Sequence, residues 1–102
     1  MTVYDTLRRA ISLKQCVRVL AGGRARDLCP HALGLKGGKP RLLAYQYDGD
    51  SASGLASGGA WRSFFLEEIA VATPIDGVWH TGPNLLAKAE ACLDRIEYQV
   101  RH

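Results

Sequence analysis

Two glycine pairs, Gly22-Gly23 and Gly37-Gly38, constrain this chain more than any other feature. Glycine takes positive φ without a Cβ clash, and a two-residue hairpin turn of the mirror-image types demands that conformation. The runs beside these pairs alternate with period two. In residues 16–20, Val17 and Val19 interleave with Cys16, Arg18 and Leu20, and in 41–47 Leu43, Tyr45 and Tyr47 share one face. Between the turns, 24–35 reads as a strand broken or kinked at Pro30, which has no N–H for the ladder. Two such hairpins in succession make an antiparallel meander. Residues 61–66 alternate again, and Ile69 and Val71 mark a short last strand.

The flanks change period. Thr2 stands three residues before Asp5, a capping-box spacing, and Val3, Leu7, Ala10, Ile11 and the stem of Lys14 then recur on one helical face. The spacing predicts a helix over 2–14. Pro83 suits a first helical turn, with Thr81 or Gly82 as its cap. Leu85, Leu86, Ala89, Cys92, Leu93, Ile96 and Val100 follow as a wide apolar stripe, and Glu97 and Arg101 form an i,i+4 pair. A second helix over 83–100 is expected. Residues 48–60, rich in Gly, Ser and Ala, are a long loop, mobile or functional.

At 102 residues, 47% apolar and 23% charged, the chain has the balance of one globular domain, 1–102. Its longest uncharged stretch, 51–61, is too short and too polar for a bilayer that needs ~20 apolar residues. No apolar region follows Met1–Val3, so no secretory signal is expected. Three widely spaced cysteines, an odd number, argue against a disulfide scaffold and for a reducing, cytoplasmic setting. The net charge of +3 hides an asymmetry: residues 1–41 hold nine basic groups against Asp5 and Asp27, and 42–102 hold four against eight acidic ones. A basic front half can attract polyanions by counterion release, although a solvated surface with internal salt bridges accounts for the same charges.

Catalytic chemistry is hard to find. Gly34, Gly37 and Gly38 lack the Gly-Lys-Ser/Thr that would cradle phosphates, and no cofactor motif appears. Cys29 and His31 could be a nucleophile and base or two metal ligands, but His80, Cys92 and His102 lie at no zinc spacing. A small buried Cys beside a hydrogen-bonded His is the simpler reading. Glu67 and Glu68, as strand neighbours, would face opposite ways and suit a solvated strand end. What remains is a set of long polar and aromatic side chains: Arg24, Arg26, His31, Arg41, Tyr45, Trp61 and Arg62. Guanidinium groups bind phosphates bidentately and bases stack on rings, which suits single-stranded nucleic acid or a nucleotide. Core packing of Tyr45 and Trp61 fits the pattern equally well.

Three runs, 24–35, 37–45 and 61–69, together resemble a WYL domain. The resemblance covers about residues 3–72 and is strongest at Pro30, at Leu43-Ala44-Tyr45, and at Arg62, Phe64, Leu66 and Ile69. Pro40-Arg41-Leu42 stands where the naming triplet belongs, His31 replaces the aromatic after the proline, and Glu68 replaces a common arginine. The upstream winged helix-turn-helix and the C-terminal extension do not occur within these residues. The resemblance implies a non-enzymatic regulatory module of bacterial type that senses a ligand, often a nucleic acid or nucleotide.

The expected fold is α+β, mainly β: a five-stranded, partly open antiparallel SH3/Sm-like barrel over about 16–72, with an N-terminal and a C-terminal helix. Arg62 is the first choice for an anion contact, with Arg26, His31, Tyr45, Arg41 and Trp61 around it and Lys88 on a far helix. No metal is expected. A seam of Leu86, Leu93, Ile96 and Val100 predicts a homodimer through the last helix. A protein–protein interaction module is the alternative, and a small enzyme using Cys29 and His31 a third reading.

Overall fold

The computed structural model describes residues 2–49 and 59–101; most of the 48–60 loop lies outside them. Helix α1, Val3–Leu13, is followed by β1 (Val17–Ala21), β2 (Arg24–Lys36), β3 (Lys39–Gly49), β4 (Ala60–Phe65) and β5 (Ile69–Pro74). A short helix, α2 (Leu85–Cys92), and a sixth strand, β6 (Arg95–Gln99), complete the order. The protein is α+β and mainly β. No helix among the described residues is long and apolar enough to cross a membrane.

Local chemistry sets the start of the chain and the turns. Asp5 N–H donates to Thr2 Oγ1 at 3.1 Å and Thr2 N–H donates to Asp5 Oδ2 at 3.4 Å, closing the capping box. α1 buries Leu7, Ala10 and Ile11 and ends at Lys14, which is left-handed at φ 50°. Both glycine pairs have positive φ at both positions, 60° and 73°, then 60° and 79°, and each closes a two-residue hairpin.

The sheet runs β4-β3-β2-β1-β5, all antiparallel, and β6 joins it on β2. β2, at 13 residues, is the organising strand. One of its edges pairs with β3 over Arg26–Lys36, while the other pairs with β1 over Arg24–Leu28 and with β6 over 32–35. Pro30 does not break it; the register instead slips between Pro30 and Ala32, a bulge at His31, where the outer partner changes from β1 to β6. The register puts Leu42, Ala44 and Gln46 on one face with Leu28 and Phe64, and Leu43, Tyr45 and Tyr47 on the other with Trp61 and Ser63. α1 covers the first face, where Tyr4 meets Tyr98 edge-on at 6.1 Å. Residues 75–84 and α2 cover the second.

Three expectations need correction. The sheet has six strands, and its end strands β4 and β5 do not pair with each other among the described residues. Glu67 and Glu68 lie in a 3₁₀ turn, Leu66–Glu68, where Glu68 Oε1 accepts from Phe65 N–H at 3.0 Å and Glu67 meets Lys39 at 3.3 Å. The helix expected over 83–100 stops at Cys92, and 95–99 is strand. The dimer seam therefore does not exist as a seam. Leu93 and Val100 are buried in this chain, Leu86 is 64% exposed on α2, and Ile96 lies on β6.

Docking of β6 depends on Gly34, whose Ile96 partner lies so close that a Cβ would run into the carbonyl of Arg95. Asp94 then closes the corner, accepting from Gly37 N–H at 2.8 Å and Lys36 Nζ at 3.3 Å. Gly34→Ala is expected to lower unfolding free energy by roughly 1–3 kcal/mol, the usual cost of over-packing. Urea denaturation checks this, and a variant as stable as the wild type would contradict the close β2–β6 approach.

Candidate functional site

The second sheet face is roofed by residues 75–84, and His31 holds the roof. Gly82 N–H donates to His31 Nε2 at 3.2 Å, so Nε2 is an acceptor and the proton sits on Nδ1, which donates to the Cys29 carbonyl at 2.6 Å. The ring is fully buried between Trp61 and Trp79, each 4.9 Å away, and Tyr45 meets Trp61 edge-on at 5.3 Å. Both indoles are anchored within the roof. Trp61 Nε1 donates to Pro83 O at 2.8 Å, and Trp79 Nε1 donates to Thr81 Oγ1 at 2.9 Å. His31, Tyr45 and Trp61 thus come together as the sequence reading expects, but they pack on one another. His31 is fully buried and fastens the roof, while Tyr45 and Trp61 stay half-buried.

Beside this cluster, Tyr47 stacks on His80 at 4.8 Å, and the Cys16 and Cys29 sulfurs lie 3.8 Å apart. His80 N–H donates to Cys29 Sγ at 3.2 Å, and Cys16 Sγ–H donates to the Val78 carbonyl at 3.5 Å. Burial pushes the Cys29 thiol up to about 12. Burial first, then its contact with Cys16, raises the Tyr47 phenol as well. The Cys29 sulfur faces His80 while the His31 ring bonds the Cys29 carbonyl, so this pair lacks the geometry of a nucleophile and its base.

The arginines are divided between the two faces. Arg62, opposite Ala44, donates from Nε to the buried Gln46 Oε1 at 3.3 Å, and Arg26 lies 5.2 Å over the Phe64 ring on that same face. Arg41 belongs to the other face. Its guanidinium covers Phe65 at 4.9 Å, donating to Cys92 O at 3.0 Å and Ser63 Oγ at 2.9 Å. Arg62 and Arg41 line one shallow cavity, and Arg26 is not in its lining. The β3–β4 register puts Arg41 opposite Phe65 and Arg62 opposite Ala44, so the two reach that cavity from strand positions on alternate faces.

Arg41 lines this cavity of 260 Å³ between β3, β4 and α2 with Leu43, Trp61, Arg62, Ser63, Lys88, Ala91 and Cys92. None of these residues is acidic. Lys88, expected far from the arginines, is one of its walls. Arg41 Nε is buried with no hydrogen-bond partner among the described residues. A second basic hollow, 660 Å³ between α1 and β6, brings Arg8, Lys14 and Arg101 together around Tyr98, with Glu97 as its one acid. The front-half charge excess hinted at Arg8 and Lys14, but Arg101 arrives there only because β6 is a strand. Trp79, His80 and the Cys16–Cys29 contact carried no signal, since the roof that brings them in has no periodicity.

No family model, curated protein or solved structure matches the chain.

Holding Cys29 neutral has a consequence at alkaline pH. Its folded value of about 12 exceeds the ordinary 9.0, so the folded state favours the protonated thiol. The raised value leaves stability intact below about pH 9 and erodes it from there toward about pH 12, as the unfolded thiol ionises first. Denaturant titrations stepped through that window should show the loss, and Cys29→Ala should flatten it.

Proposed function

We propose that this chain is a non-enzymatic WYL-like binding module, regulatory in role, that takes a phosphate-bearing ligand, single-stranded nucleic acid or a nucleotide. The observation that carries the reading is the acid-free cavity in which Arg41 and Lys88 stand beside Ser63 and the half-buried Trp61. A planar guanidinium, an ammonium and a hydroxyl are donors only or donor-capable, which suits phosphate oxygens. The element order from α1 through five antiparallel strands supports the resemblance to the WYL domain and its SH3/Sm-like architecture. The neutral, shielded Cys29 supports a binding role over thiol chemistry at the Cys29–His31 pair.

A protein–protein interaction module is the second reading, and one observation favours it. Leu20 and Val71 stand opposite each other on β1 and β5, 40% and 51% exposed, beside the unpaired outer edge of an uncharged strand among the described residues.

Fluorescence anisotropy with a labelled single-stranded oligonucleotide separates the two. The affinity should fall linearly with salt on a double-logarithmic plot. Lys88→Ala and Arg41→Ala should each weaken binding and reduce the slope by about one, whereas Arg24→Ala, at the exposed start of β2, should not. Lys88 is exposed, so its variant reads binding without disturbing the core. Absence of binding at low salt, or equal losses in all three variants, would favour the interaction module.

A further inference from the structure

We propose that Cys16 and Cys29 form a redox-active dithiol site that a hydroperoxide converts to an intramolecular disulfide. The ladder places them for it. Val17 pairs with Leu28, so Cys16, one residue earlier, stands across from Cys29, one residue later, and their sulfurs are 3.8 Å apart. Opposite residues of an antiparallel pair have Cα atoms about 4.5–5.5 Å apart. That lies inside the roughly 4.4–6.8 Å window of disulfides, so bringing the sulfurs to about 2.05 Å needs side-chain torsion without movement of the strands. The remaining cysteine, Cys92, sits on α2 beside Arg41 in a different cavity. All three are free thiols.

The surroundings of the two sulfurs differ and assign their order. Both cysteines are buried, Cys16 at 1% exposure, but a surface cavity of 500 Å³ between the end of α1 and the start of the roof has Cys16 in its lining, with Lys14, Gln15, Asp76 and Gly77, and not Cys29. Cys29 is fully buried beneath His80, whose N–H it accepts. Cys16 is therefore the thiol that meets the oxidant. Its sulfur attacks one peroxide oxygen, an S–O bond forms as the O–O bond breaks, and the thiol proton passes to the leaving alkoxide or hydroxide. Cys29 sulfur then attacks Cys16 sulfur; the S–S bond forms, the S–O bond breaks, and the departing hydroxide leaves as water with the Cys29 proton. Two thiols and one hydroperoxide give one disulfide, one alcohol or water, and one water.

Oxidation acts on the roof. The Cys16 S–H that donates to the Val78 carbonyl is gone in the disulfide, and the Cys29 sulfur turns away from His80 N–H to reach its partner. Both bonds tie residues 75–84 to the sheet, and Trp79 and Gly82 of that segment are the contacts of His31. The oxidation state of the pair thus sets how firmly the roof is held.

The test uses the intact chain treated with hydrogen peroxide, followed by mass spectrometry and peptide mapping under non-reducing conditions. The expected product has lost two hydrogens, carries a Cys16–Cys29 link, keeps Cys92 as a thiol and is restored by dithiothreitol. Cys92→Ala should behave as the wild type, while Cys16→Ala and Cys29→Ala should lose the link. Wild-type protein that retains three thiols, that accumulates only sulfinic or sulfonic acid, or that links through Cys92 would overturn the proposal, and this readout does not depend on how the variants fold.

Discussion

Everything in this fold hangs on the long strand β2, because it has more partners than one strand edge can serve at once. Its inner edge belongs to β3 over Arg26–Lys36, and its outer edge is shared in sequence by β1 and β6. The hand-over occurs at Cys29-Pro30-His31, where a residue without an N–H and a bulge interrupt the ladder. A bulge re-aims the side chain it carries. Here that side chain is His31, and it reaches outward to catch the backbone of the roof at Gly82. The same slip that lets two strands share one edge also supplies the residue that closes the second face of the sheet.

That closure explains why the polar residues on the sheet split as they do. Buried rings and sulfurs gather under residues 75–84, while the charged groups lie to either side of it. Arg62 and Arg26 lean on Gln46 and Phe64 beneath, and Arg41 reaches around Phe65 to the end of α2. Arg18 and Asp27, opposite one another on β1 and β2, hold each other at 2.7 and 3.1 Å, so this pair is self-contained. The cationic corner at Arg41 and Lys88 is what the fold leaves without an acid.

Local signals in the first half of the chain were reliable and distant ones were not, and the cap expected at Thr81 or Gly82 gives way to Asn84, at φ 60°. The glycine pairs and the Thr2–Asp5 box act within a few residues, and each formed where its chemistry demands. The sequence of β6 fits a helix as well as a strand because Ile96 satisfies two periods at once: it lies three residues after Leu93 and four before Val100, and also two before Tyr98. Nothing nearby resolves that ambiguity. The strand wins through open space at Gly34, far earlier in the chain, which no window of neighbouring residues contains. The candidate site shows the same limit. Arg41 and Arg62 are plain in the sequence, but which face each takes depends on the β3–β4 register, and the long connection between those strands leaves that register unset. The aromatic cluster was legible as to its members, His31, Tyr45 and Trp61, and not as to its roof.

The late arrival of β6 shapes how this chain must come together in time. A strand that pairs with residues 32–35 only after residue 95 has been synthesised belongs to a long-range contact, the kind that slows folding. Until then the second half of β2 has β3 on one side and a bare row of amides on the other, with Leu33 and Leu35 beside it. During vectorial synthesis the meander can zip as soon as it emerges, yet it waits with a sticky edge for its final segment. Gly34, by keeping that edge free of a side chain, leaves the berth open for the last strand to enter.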